Sequence, residues 1–140
     1  MKASLLYRIA SILLVLFAIG HTFGFRQTDP KWGIDALLQS LKAIHFQANG
    51  FDHRTFWNFY VGFGLFVTAL MLLAAVFAWQ MGQLSPEALA SMRLSAWAFV
   101  GCFAFVVFLS WRYFFLIPLV FSAVILACLT LAASLSGAAR

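Results

Sequence analysis

The chain has 140 residues, 64% of them hydrophobic and only 9% charged. A soluble domain carries about 25% charged residues, so this length holds one domain whose surface mostly faces lipid. The net charge of +5 comes from scattered cations that never form a run, which argues against a nucleic-acid partner and fits anchoring at a membrane surface.

Four apolar runs follow in chain order, at about 5–25, 56–81, 94–111 and 113–135. Each approaches the roughly 20 residues a helix needs to cross about 30 Å of hydrocarbon. Arg8 lies one turn inside the first run and can snorkel to the headgroups. A signal peptide is the alternative for this run, with Ala18 and Gly20 as the small residues before a cut at His21, but the run stays apolar through Phe25. None of the runs alternates as a membrane barrel strand would. Tyr7, Trp79 and Trp97 are expected near one membrane surface, and Trp57, Tyr60, Trp111 and Tyr113 near the other.

The long connection between the first two runs contains Ile34, Leu37, Leu38, Leu41 and Ile44 at helical spacing. This predicts a short amphipathic helix over about 34–46, resting on the membrane or capping the bundle. Asp29-Pro30 before it and Asn49-Gly50 after it read as turns. Ser85-Pro86-Glu87 reads as a helix start, which predicts that the third spanning helix begins near Pro86. Pro118 would break one helical hydrogen bond in the fourth and permit a kink, although prolines are ordinary in membrane helices. The fold class is therefore all-α: a polytopic membrane protein forming a four-transmembrane-helix bundle, with a short amphipathic helix in its first loop. Cys102 and Cys128 lie within apolar runs and read as small buried hydrophobes.

Alternating spans gather the polar residues at one end. His21, Asp52, His53, Arg54, Asn58, Tyr60, Trp111 and Arg112 fall there, and so do all three histidines and three of the four acids. All of those named but Asp52, which enters as a possible catalytic partner of His21, are the candidate ligand-binding residues. His21 is the sharpest, because an ionisable group ending an apolar span is costly and often functional. As an acid or base it would draw on Tyr60, Asp52 or Arg112. The alternative is an interfacial histidine bonded to loop backbone or to Tyr60. Arg112 suits a phosphate or carboxylate headgroup, an acid of the long loop, or snorkelling. His21, His45 and His53 lack metal-ligand spacing, so no metal and no cofactor are expected. Gly20 and Gly24 form a G-x-x-x-G around His21, and Gly62 and Gly64 stand in the second run; both pairs suggest close helix packing, within the chain or in a homo-oligomer.

Two segments, Gly20-His21-Thr22-Phe23-Gly24 and Phe56-Trp57-Asn58-Phe59-Tyr60-Val61-Gly62-Phe63-Gly64-Leu65, resemble a family of small uncharacterised bacterial membrane proteins with four predicted helices. The layout is also similar to DoxX-like membrane proteins at the level of fold alone. The resemblance implies a multi-pass protein of the bacterial inner membrane and no particular activity. The basic residues around the first span favour both termini in the cytoplasm.

Two functional expectations follow. One is a non-enzymatic protein that binds a lipid or a partner membrane protein through its polar end. The other is an enzyme acting on a quinone, sterol-like or isoprenoid substrate through His21. An oligomeric channel or transporter ranks below both, because the spans carry almost no polar stripe.

Overall fold

The computed structural model describes residues 2–46, 50 and 53–137. The elements are helices: α1 (Ala3–Gly24), α2 (Asp35–Ala43), α3 (Phe56–Met81), α4 (Pro86–Ser91), α5 (Arg93–Tyr113) and α6 (Leu116–Gly137), with a 3-10 turn at Pro30–Trp32. Four of them, α1, α3, α5 and α6, are long and apolar enough to cross a membrane. This is a multi-pass helical membrane protein. The chain divides into two compact units, residues 1–17 with 71–140, and residues 18–70.

The first unit is built on large apolar side chains interleaved with alanines. On α1, Leu6, Tyr7, Ala10, Leu14 and Phe17 are buried at intervals of one to four residues along one face; Ala75, Ala78 and Met81 on α3 and Ile125, Leu129, Ala132 and Ala133 on α6 repeat the pattern. Lipid supplies no hydrophobic drive between helices, so close van der Waals packing holds them together, with the alanines letting the helices approach. The Ser11 hydroxyl adds a buried hydrogen bond to the Ala75 carbonyl at 2.8 Å. At Gly82 a Cβ would come within 3.0 Å of the Ser4 carbonyl oxygen, so only glycine lets the two backbones meet without a shift. Phe17 and Phe121 stack with ring centroids 5.4 Å apart.

Several sequence expectations are corrected here. Tyr7 is 1% exposed and belongs to the core, not to an interfacial belt. Its hydroxyl is buried without a hydrogen bond of acceptable geometry, while Ser136, whose side chain interacts with it, donates to the Ala132 carbonyl at 2.8 Å. The helix begun at Pro86 is the separate α4, capped by the Ser85 hydroxyl accepting from the Ala88 amide at 3.3 Å. It stops at Met92, whose amide turns back to the Ala88 and Leu89 carbonyls. Pro118 stands third in α6, in the first turn, where no amide has an intrahelical acceptor; its missing N–H removes nothing there and gives no reason for a kink. Both cysteines are free, and Cys102 is exposed on its helix instead of buried.

In the second unit, α1 ends at Gly24, and the Arg26 guanidinium reaches back to the Thr22 carbonyl at 3.2 Å, satisfying an orphan acceptor of the last turn. Asp29 then caps the 3-10 turn by accepting from the Lys31 amide at 2.9 Å, and Gly33 closes it with φ of 64°. The loop helix α2 is shorter than expected at its far end, because Ile44 leaves helical geometry and residues 44–46 turn extended. Its apolar residues also point two ways: Ile34, Leu38 and Leu41 are half-buried, but Leu37 and Ile44 are exposed. His45 pairs with Thr55 in an isolated antiparallel bridge, fixed by the Phe46 amide on the Arg54 carbonyl (2.7 Å) and the Phe56 amide on the Ile44 carbonyl (3.2 Å). Phe46 packs on Phe56 and Phe59 beside this bridge, with centroids 4.2 and 5.3 Å apart.

Candidate functional site

Within residues 18–70, the last turns of α1 meet the middle of α3. Thr68 is 12 residues into a 26-residue helix, so it lies about 18 Å from the start of α3 at 1.5 Å per residue. The half-buried positions of this part of α3 are Trp57, Val61, Gly64 and Thr68, three or four residues apart. That spacing makes one stripe on a helix.

Three polar side chains converge on this stripe. His21 Nδ1 lies 3.1 Å from Thr68 Oγ1, and Thr22 Oγ1 lies 3.0 Å from the same atom. Each threonine also reaches the carbonyl one turn back in its own helix, Thr22 to Ala18 at 2.7 Å and Thr68 to Gly64 at 3.2 Å. His21, Thr22 and Thr68 are all half-buried, none of them closed off. Among the described residues, His21 Nε2 has no hydrogen-bond partner.

An aromatic wall continues the cluster. The Phe25 ring stacks on His21 at 5.1 Å and 22°, four residues on. It lies so close to α3 that a Cβ at Gly64 would overlap it. Glycine at 64 is what lets the ring come this close to the helix. Tyr60 meets Phe25 edge-on at 5.9 Å and donates its hydroxyl to the Phe25 carbonyl at 2.6 Å. Trp57 follows at 5.5 Å from Tyr60, with the Lys42 ammonium 5.4 Å from its ring.

The structure sorts the sequence candidates. His21 is engaged, but with Thr68, and neither with loop backbone nor with Tyr60. Tyr60 is committed to the Phe25 carbonyl. Asn58 serves the helix start: its Oδ1 accepts from the Thr55 backbone amide and hydroxyl at 3.0 and 2.9 Å, and its backbone N–H donates to Thr55 Oγ1 at 3.2 Å. This is a reciprocal capping box, with asparagine where glutamate is usual. Arg54 enters the unit through its backbone carbonyl. His53 is exposed in the turn before the bridge, and His45 Nδ1 lies 2.9 Å from the Ala43 carbonyl. Asp52 lies outside the described residues. Trp111 and Arg112 belong to the other compact unit, where the Arg112 guanidinium sits 5.2 Å from the Tyr113 ring and Trp111 is 69% exposed.

Of the glycines, only Gly64 carries a close approach here; Gly20, Gly24 and Gly62 have open space where a Cβ would be. The expected packing of the G-x-x-x-G within the chain is thus not what α1 uses it for. Phe25 and Thr68 were not visible as site residues in the sequence; the four-residue spacing of Gly64 and Thr68 was the available signal. Among the described residues, no three His, Cys, Asp or Glu side chains lie close enough to hold a metal ion. No family model matches the chain, no curated protein matches it, and no solved structure matches it.

Proposed function

We propose that this protein is a small binding protein of the bacterial inner membrane, which takes the polar end of a lipid or lipid-soluble molecule at the His21–Thr22–Thr68 cluster. The single observation behind this reading is a hydrogen-bonded polar group set inside two apolar spans and left half-open. Polar side chains at such depth are costly, and a tie between the helices alone would need only the two threonines. The Phe25, Tyr60 and Trp57 rings offer an apolar wall beside it.

Binding is better supported than catalysis. General acid or base work by His21 requires the ring within hydrogen-bond reach of a substrate proton; its described partners are the Thr68 hydroxyl and a phenyl ring, with no carboxylate to orient it or raise its basicity. Both termini are taken as cytoplasmic, on the strength of Lys2 and Arg8 at the first span. The test is extraction into native lipid particles followed by mass spectrometry. A small molecule in fixed ratio to the wild-type chain, lost in Thr68→Val, is expected. Recovery of a protein partner in its place would replace this reading, and an empty wild-type chain would end it.

A further inference from the structure

We infer that the ligand presents a hydroxyl hydrogen to His21 Nε2, so that the site selects lipid-soluble alcohols over their ether or ketone counterparts. This rests on the binding reading above and adds the chemical class of the ligand. It comes from counting hydrogens in the cluster. Four contacts are short enough to be hydrogen bonds: Thr22 Oγ1 with the Ala18 carbonyl (2.7 Å), Thr22 Oγ1 with Thr68 Oγ1 (3.0 Å), His21 Nδ1 with Thr68 Oγ1 (3.1 Å) and Thr68 Oγ1 with the Gly64 carbonyl (3.2 Å). Each threonine owns one hydroxyl hydrogen, and each carbonyl can only accept.

The neutral ring has two tautomers, and they fill this network differently. With the proton on Nε2, the cluster holds two hydrogens for four contacts, and Thr68 must give its own to Nδ1. The Gly64 contact is then empty. With the proton on Nδ1, three hydrogens are available. Thr22 donates to Ala18 along the shortest contact, the ring donates to Thr68, and Thr68 donates to Gly64 or back to Thr22. Polar groups in an apolar surrounding are held in the arrangement that satisfies most of them. The Nδ1–H form is that arrangement. Hydrocarbon disfavours a charged ring, and no described carboxylate is bonded to it. Nε2 is then a bare lone pair, able to accept and unable to donate. An ether or ketone oxygen facing it would find no hydrogen; an alcohol supplies one.

The test uses the full chain in lipid nanodiscs. Nitrogen NMR of histidine-labelled protein, with the His21→Gln variant identifying the signal, reads the tautomer directly. Farnesol and farnesyl methyl ether, competed against a photoreactive farnesol analogue, read the selectivity. The expected result is a protonated Nδ1, and farnesol competing roughly tenfold better than the ether, the worth of about one hydrogen bond. Thr68→Val should abolish binding of both molecules and release the tautomer, whereas Thr68→Ser should keep the tautomer and the preference. A protonated Nε2, or equal competition by alcohol and ether, overturns this inference and leaves the binding site standing. Failure of both molecules to compete, with no ligand recovered from membranes, overturns the two readings together.

Discussion

His21 Nδ1 and Thr68 Oγ1 lie 3.1 Å apart, and that contact joins the last turn of α1 to the middle of α3 within the 18–70 unit. Hydrogen bonds between membrane helices average about 0.6 kcal/mol and reach about 1.7. Thr68→Val should therefore cost about 1 kcal/mol of stability in detergent, since it removes contacts to both His21 and Thr22. Thr68→Ser should cost far less. Thermal unfolding followed by circular dichroism measures both; an unchanged midpoint in Thr68→Val would mean that the cluster adds nothing to the fold.

Two glycines two residues apart should respond oppositely. A Cβ at Gly64 overlaps the Phe25 ring, whereas one at Gly62 meets open space. Gly64→Ala should cost about 1–3 kcal/mol, as overpacking does. Gly62→Ala should stabilise by up to about 1 kcal/mol, because alanine gives up less backbone freedom in a helix. Pairing Gly64→Ala with Phe25→Ala should recover most of the loss, a double-mutant cycle that isolates the contact.

Tyr7 carries a buried hydroxyl that finds no hydrogen bond of good geometry. An unsatisfied buried polar group costs about 1–3 kcal/mol. Tyr7→Phe should hence be neutral or raise the unfolding midpoint, while Tyr7→Ala, which empties a fully buried site, should cost about 3–5 kcal/mol. A clear loss in Tyr7→Phe would show that the hydroxyl is bonded after all.

Glu87, in the first turn of α4, is held below the ordinary carboxylate range by hydrogen bonds, first from its own backbone amide and then from the Ser85 hydroxyl. A carboxyl whose folded value is lowered adds stability that is present above its unfolded value near 4.5. That stability is lost as pH falls through the lower, folded value. The gap in unfolding midpoint between wild type and Glu87→Gln should accordingly be constant near neutrality and close below about pH 4.5. A gap that widened on acidification would contradict the sign.

Much of the fold was legible because a spanning helix declares itself by length and lack of charge. The uncharged stretch from Thr55 to Pro86 could be little else, and α3 occupies Phe56–Met81 within it. The site was half legible. His21 stands out as an ionisable group that ends an apolar run, but its partner does not. The α3 helix is apolar on every side, so hydropathy gives no rotational register, and Thr68 could have faced anywhere. Tyr60 and Asn58 looked available because a sequence does not show what a hydroxyl or amide is already bonded to. In the fold, one holds the Phe25 carbonyl and the other caps α3. The Thr55-Phe56-Trp57-Asn58 spacing was the cue for that cap.

The most direct measurement is mass spectrometry of wild type, Thr68→Val and Thr68→Ser, each extracted with its native lipid. A lipid-soluble molecule bound in constant ratio to the wild type and the serine variant, and missing from the valine variant, is the predicted result. Equal retention by all three would place the binding elsewhere and contradict a site at His21, Thr22 and Thr68.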